Sequence, residues 1–575
     1  MINLTIDGRK VQVEAGSTVL EAARAAGINI PTLCYHPELR PEGACRVCVV
    51  EVENAKTLVA SCVHPAAEGM VVKTNSPRVR NARRTIVELM LANHPSDCLT
   101  CERNNNCELQ RIAHDLGVRE IRYSGERRSW DKDEANPSLS RDPNKCILCG
   151  RCVRVCNEVQ GVGTLNYNYR GFDTLVAPAF DRGLAETACV YCGQCSTVCP
   201  TGAIVEKSYI EEVWNALANP EKHVIVQTAP AVRVALGEEF GLAPGSITTG
   251  KLVAGLRRLG FDAVFDTNFT ADLTIMEEGH ELIHRLQNGG TLPLITSCSP
   301  GWIKFIEHNF PQLLPHLSTC KSPQQMFGAV AKTYYAEKIG LAPEKIYVVS
   351  IMPCTAKKFE AQRPEMGHNG IPDVDAVLAT RELGKMLKEA GIDFGRLPDE
   401  EYDDPMGIST GAAAIFGATG GVMEAALRTA VEVITKEELK DINFTQVRGL
   451  EGVKEAALAV GDLQLKVAVV HGLSNARKLM ELLAAGKADY HFIEIMCCPG
   501  GCIGGGGQPI PVDRDVRQAR INGIYEVDES LTLRKSHENP AVQQLYKEFL
   551  GQPLGEKSHQ LLHTTYTPRN AFGNE

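Results

Sequence analysis

KCILCGRCVRVCNE (145–158) and ACVYCGQCSTVCPTGAI (188–204) share one template, CxxCxxCxxxC, within residues 142–205. A fixed run that recurs once is the mark of a duplicated unit, and here each copy is a cluster-binding loop. In this two-cluster pattern the fourth cysteine of each run crosses over to its neighbour's cluster. The expected ligand sets for two [4Fe-4S] clusters are Cys146, Cys149, Cys152 and Cys199, and Cys189, Cys192, Cys195 and Cys156. Zinc or disulfides would not call for this spacing twice over.

Upstream of the repeat the cysteines continue in groups. Of 21 in the chain, fifteen lie before position 200 and six after it. Cys34, Cys45, Cys48 and Cys62 stand on a segment, NLTIDGRKVQVEA and beyond, that alternates about an Asp7-Gly8 turn and then becomes helical from Val19 to Ala26. This reads as a small β-grasp-like domain. A tight CxxC with two outlying cysteines suits a [2Fe-2S] cluster, with a zinc site as the lesser reading. His94, Cys98, Cys101 and Cys107 follow a helical stretch, RNARRTIVELMLANH. Imidazole can replace one thiolate on iron, so these four make a third [4Fe-4S] set. A polar stretch at 125–145 reads as a linker.

Downstream, from about 222, the pattern becomes strand and helix in alternation: HVIVQTAP, PLITSCSP, IYVVSIMPC, VDAVLAT, KVAVVHGL and YHFIEIMCCPGG each precede a helical stretch. Alternation of this kind implies parallel sheets covered by helices. Three of these strands end in cysteines, at Cys298, Cys354 and Cys497 to Cys502. Ligands of open α/β sheets bind beyond the carboxyl ends of strands, so that is where the chemistry is expected. The tail beyond about 535 reads as a helix and a short extension for packing or subunit contact.

The net charge of −10 excludes a broad phosphate-binding face. No window reaches the ~18 uninterrupted apolar residues of a membrane span, and the first residues lack the pattern of a secretory leader. Many grouped thiols suit a reducing compartment, so a cytoplasmic protein is expected, without nucleic acid or membrane partners.

The segments TSCSPGW (296–302), IMPCTAKKFE (351–360) and IMCCPGGCIGGGGQP (495–509), together with the four upstream groups, resemble the [FeFe]-hydrogenase family in its long modular form. The resemblance covers nearly all of the 575 residues. It implies an α/β multidomain protein: N-terminal β-grasp ferredoxin and two-cluster ferredoxin modules, then a two-lobed α/β H-cluster domain with parallel sheets. The expected boundaries are a plant-type [2Fe-2S] domain at 1–78, a His/Cys3 [4Fe-4S] domain at 79–125 and a two-[4Fe-4S] domain at 139–209. A catalytic domain at 210–535 and a small-subunit-like helical extension at 536–575 complete the chain.

The resemblance further implies an H-cluster, in which a [4Fe-4S] cube is joined to a diiron subsite carrying CO, cyanide and azadithiolate. Cys354, Cys498 and Cys502 map onto its ligands, with Cys502 as the bridge. The family usually has two adjacent cysteines in the first motif, the first moving protons and the second holding the cube. Here those positions are Cys298 and Ser299. Either Ser299 binds the cube, although an alkoxide is a poorer partner than a thiolate for cluster iron, or Cys298 takes over and the proton route changes. Cys320 and Cys497 stand where the resemblance implies alanine, so a nearby thiol could compensate, while two small buried residues are the preferred reading of both.

The family's proton route maps onto Cys298, Glu278, Ser318 and Glu281. Lys357 maps onto a cyanide hydrogen bond, Met352 and Met496 flank the diiron site, and Phe416 either lines the pocket or is core. The TSCSPGW form resembles catalytic subunits of NAD(P)-linked, electron-bifurcating complexes. Flavin- and NAD(P)-binding subunits, ferredoxin and H-cluster maturation proteins are therefore the implied partners. No GxGxxG follows a strand, so nucleotide chemistry falls to partner subunits. Two other readings compete: a stand-alone ferredoxin-dependent hydrogenase, and an electron-transfer subunit without hydrogen chemistry. An iron–sulfur assembly protein is a third, which would lack parts of the motifs or the relay glutamates.

Overall fold

The Asp7-Gly8 turn does what its sequence dictates: both residues take positive φ, 47° and 80°, and the strands Ile2–Ile6 and Arg9–Val13 pair antiparallel across it. These strands open a computed structural model that describes residues 1–439, 441–460 and 463–570. Val71–Lys73 adds to Ile2–Ile6 in parallel, and Val49–Val52 and Val59–Ala60 complete a five-stranded sheet. The helix Val19–Ala25 covers it, started by a capping box in which Thr18 and Glu21 exchange bonds. A long helix, Pro77–Asn93, capped by Ser76, then leads to a short helix, Glu108–Asp115.

The two copies of the repeat share one backbone path. Leu148 and Tyr191 hold φ of 54° and 57°, and Gly150 and Gly193 follow at 70° and 71°. Only glycine occupies that region without strain, so the CxxCG spacing is a loop shape as well as a ligand pattern. The stretch expected to be a linker is not one throughout. Leu139–Arg141 pairs antiparallel with Ile204–Glu206, which closes the two-copy unit on itself.

The remainder forms two lobes, each built on a four-stranded sheet. In the first, Ala263–Asp266, His223–Thr228, Ile346–Met352 and Ala376–Ala379 run parallel in that order. Their burial is nearly complete, as expected of strands covered on both faces. In the second, Leu294–Ile295, Phe492–Met496 and Leu463–His471 are parallel. Val453–Val460 joins the edge antiparallel and was not anticipated, because its burial alternates and its pattern carries no cysteine. Helix Thr267–Asn288, started by the Asp266 side chain, packs between the lobes. Among the described residues no helix is long and apolar enough to cross a membrane.

The tail is less peripheral than a short extension. Pro540–Leu545 and Glu556–Leu562 are helices, and Leu545, Leu561 and Leu562 belong to the main apolar core. Residues 571–575, the end of the expected extension, lie outside the described residues.

Candidate active site

Three groups of thiols gather along the N-terminal part as their spacing predicts. Cys34 and Cys45 each accept the other's backbone N–H at 3.4 Å, and Cys48 donates to Cys62 at 3.4 Å, with all four buried. Cys146, Cys149, Cys152 and Cys199 line one cavity of about 430 Å³ of atom-free space. Burial pushes the Cys146 and Cys149 thiols up to about 11 and about 12. Such thiols ionise in company with a metal, which releases their protons as it binds. Cys156, Cys189 and Cys195 each sit within electrostatic reach of Cys192, the second crossed set.

His94 passes a specific test of fit. Its Nδ1 bonds Pro95 O at 2.8 Å, while Nε2 is buried without a partner. Fixing one nitrogen leaves the other a directed lone pair, the arrangement usual for a metal-binding histidine. Cys107 neighbours Cys101 electrostatically, Cys101 lies against Lys145, and Cys98 is exposed.

The C-terminal cysteines converge between the two lobes, where the strands of both sheets end. Cys298, Cys354, Cys498 and Cys502 line one cavity with about 800 Å³ of atom-free space. Met352, Met496 and Phe416 form apolar wall, and Ser299 and Lys357 are polar groups on it. Lys357 Nζ donates to Glu360 at 2.8 Å and to the Cys298 carbonyl at 3.2 Å, holding the first two motifs together. Ala229 and Pro230, from the TAP end of the strand His223–Thr228, and Thr267, at the start of its helix, line the same space and carried no cysteine to flag them.

The glycine run serves the chain as much as any ligand. A Cβ on Gly505 would fall 2.1 Å from Pro353 O, and one on Gly506 would fall 2.2 Å from Cys192 O. Backbone therefore packs on backbone, which brings the third motif against both the second motif and the repeat. Thr355 Oγ1 donates to Tyr191 O at 2.7 Å, and Gln194 Nε2 donates to Gly504 O at 2.9 Å. The second loop of the repeat is thus wedged directly against the cavity.

From Cys298 a line of oxygen atoms leads outward. Glu278 is buried with Oε2 unpaired, and burial, then the charge of Glu281, push its carboxyl up to about 8. Cys298 lies near enough to feel Glu278, and burial raises its thiol well above the usual range. Ser318 shares a hydrogen bond with Glu278 and donates to Glu281 Oε2 at 2.9 Å. Glu281 then meets Arg285 Nη2 at 2.6 Å. Arg285 and the Thr319 N–H, which also donates to Glu281 at 3.1 Å, were not picked out from sequence. The helical i,i+4 spacing of Glu281 and Arg285 was the available signal.

The donor set fits an iron–sulfur group. Soft thiolates converge in a buried, largely apolar cavity, with cationic Lys357 on its wall and close-packed glycines behind it. Fold and site together define an iron–sulfur redox protein, with several thiol groups leading to one enclosed reaction chamber.

Comparison with known proteins agrees. Residues 222–506 match the family described as iron only hydrogenase large subunit, C-terminal domain, and residues 514–569 match iron hydrogenase small subunit. Upstream, residues 1–77 match a 2Fe-2S iron-sulfur cluster binding domain. Residues 83–122 match the NADH-ubiquinone oxidoreductase-G iron-sulfur binding region, and 129–203 a 4Fe-4S dicluster domain. NADP-reducing hydrogenase subunit HndD of Solidesulfovibrio fructosivorans is 56% identical, with 99% of each chain covered. Iron hydrogenase 1 of Clostridium pasteurianum is 42% identical over 98% of this chain and 100% of its own. A solved structure of [FeFe]-hydrogenase HydA1 from Chlamydomonas reinhardtii is 46% identical, with a TM-score of 0.58, over 63% of this chain and 100% of that one. The chain belongs to the iron-only hydrogenase large-subunit family. It is an oxidoreductase acting on H2, with iron–sulfur modules joined to an H-cluster domain.

Proposed function

We propose that this chain is the hydrogen-converting subunit of an NAD(P)-linked, electron-bifurcating complex, with one [2Fe-2S] cluster, three accessory [4Fe-4S] clusters and an H-cluster. The observation that carries the reading is the shared cavity of Cys298, Cys354, Cys498 and Cys502 with the second repeat loop packed on its wall. The ligands of the accessory clusters are Cys34, Cys45, Cys48 and Cys62; His94, Cys98, Cys101 and Cys107; and the two crossed sets of the repeat. Cys354, Cys498 and Cys502 would hold the H-cluster, and Cys502 would be the ligand that joins its two parts. The diiron subsite, with its CO, cyanide and azadithiolate, supplies the redox and hydrogen-splitting chemistry when bound.

The protein's own part is to move protons and exclude water. Cys298 carries a proton at Sγ next to the cavity, and Glu278 receives it on the unpaired Oε2. Ser318 passes it to Glu281, whose pairing with Arg285 opens toward the surface. A relay works best when its members have pKa values near the working pH, as Glu278 does at about 8. Lys357 directs a fixed positive charge at anionic ligands in the cavity, preorganised by Glu360 and so free of reorganisation cost. Met352, Met496 and Phe416 keep the chamber dry.

Electrons travel through the N-terminal modules, and the flavin and nucleotide sites lie on partner subunits, with ferredoxin as the second carrier. The name of the HndD relative, an NADP-reducing hydrogenase subunit, supports a nucleotide-linked partner subunit. Maturation proteins install the diiron subsite, and the reducing cytoplasm is the compartment that suits 21 cysteines. Infrared spectra of anaerobically matured protein test the reading. CO and cyanide bands together with H2 evolution from reduced viologen are expected. Intact accessory clusters without those bands would reduce the chain to an electron conduit.

A further inference from the structure

The cavity holds more thiols than the ligand set above uses. Cys192 and Cys497 line it beside Cys298, Ser299, Cys498 and Cys502. A [4Fe-4S] cluster takes four protein ligands, usually thiolates, and Cys354, Cys498 and Cys502 account for three. Three side chains compete for the fourth place, and their surroundings separate them.

Cys298 lines the cavity beside Cys502 and also borders the relay glutamate. The charges near its sulfur are those of Glu278, Cys502, Lys357 and Glu494, so it stands at the proton-relay end of the chamber. Ser299 offers a hard oxygen that already accepts the Cys497 N–H at 3.2 Å, which ties it to the main chain of the third motif. Cys497 is 4% exposed, and its sulfur is hydrogen-bonded to the thiols of both Cys498 and Cys192. It rests on Gly301, where an added Cβ would come within 2.7 Å of Cys497 Sγ. Glycine at that position leaves room for a sulfur in this spot. Cys192 is taken by its own set, Cys156, Cys189 and Cys195.

We infer that Cys497 supplies the fourth thiolate of the active-site [4Fe-4S] cube, with the Ser299 hydroxyl orienting the Cys497 backbone. Binding replaces the Cys497 S–H bond by an S–Fe bond. The proton leaves to solvent and no electron moves. The assignment frees Cys298 to remain a proton carrier. It also sets a cube ligand in contact with Cys192, a ligand of the nearest accessory cluster, which shortens the electron path between the two. The inference rests on the hydrogenase reading, because without a cube there is no fourth place.

The test uses full-length protein made without the diiron maturation proteins, so that only iron–sulfur clusters load. Iron per chain and low-temperature electron paramagnetic resonance are measured for wild type, C497A, S299A and the double variant S299C/C497A. C497A is expected to lose about four irons per chain and the cube signal while keeping the accessory-cluster signals that report a folded chain. S299A is expected to keep the cube iron, and S299C/C497A to regain it. A C497A protein with full iron and an unchanged cube signal overturns the inference, as does loss of the cube in S299A. Accessory signals lost together with the cube in C497A, and not regained in S299C/C497A, overturn it too, since Cys497 would then act in folding. Wild type lacking the cube iron altogether would instead overturn the hydrogenase reading beneath it.

Discussion

Glu278 shows how environment changes one residue's chemistry. An isolated Glu-x-x-Glu on a helix is ordinarily a solvated face, yet here Glu278 is 2% exposed with an unpaired oxygen. Burial raises its carboxyl from 4.5 to about 8. The folded chain thus keeps a proton that the unfolded chain releases, and this group's contribution to stability falls as pH rises between those two values. E278Q is expected to cut H2 evolution by about 100-fold or more, with infrared bands unchanged, because the amide cannot take up and pass on the proton. The wild-type rate should decline as pH rises through about 8, when Glu278 stops carrying its proton. S318A should act in the same direction but less, about tenfold, since a water can stand in for one hydroxyl. An S318A rate equal to that of E278Q would refute the relay order. The relay glutamates were legible only through the family resemblance, whereas the i,i+4 spacing of Glu281 and Arg285 was present in the sequence and had no motif to draw attention to it.

At the scale of elements, the cysteine motifs are turns that begin where buried strands end. Strands ending in TSC, IMPC and IMCC were readable from their apolar runs, because parallel strands covered on both faces have a continuous pattern. The edge strand Val453–Val460 was not, because half-exposed alternation without a motif leaves little signal. Gly504 to Gly506 let backbone pack on backbone, at Pro499 O, Pro353 O and Cys192 O. G505A is accordingly expected to lower H-cluster iron while sparing the accessory clusters, as measured by iron content and electron paramagnetic resonance. Equal loading in G505A and wild type would show that the Pro353 contact is not needed. Beneath the second motif, Arg363 meets Glu307 at 2.5 Å with both side chains almost fully buried. R363A strands a buried carboxylate and should cost about 3 kcal/mol in thermal or chemical unfolding, with Arg569 on Glu307 keeping the loss toward the lower end.

At the scale of the whole molecule, the modules are joined by specific side chains as well as by sequence order. Arg154, 3% exposed, reaches from the repeat to Cys34 O at 2.6 Å and also bonds Arg40 O, holding the first thiol group to the two-copy unit. R154A is expected to slow electron delivery from an external donor to the reaction chamber while H2 evolution from viologen, which can enter elsewhere, changes little. Stopped-flow reduction compared with the viologen assay would decide this, and equal slowing in both would place the fault in folding. The amino-acid sequence by itself determined the cysteine spacings and the α/β alternation. Those are local properties, set by short-range spacing and by the period of apolar residues. Only the tertiary structure decided which distant side chains meet. It placed Cys497 against Cys192 and wedged the repeat against the glycine run. Contacts between segments hundreds of residues apart arise from packing two lobes together, and no local pattern encodes them.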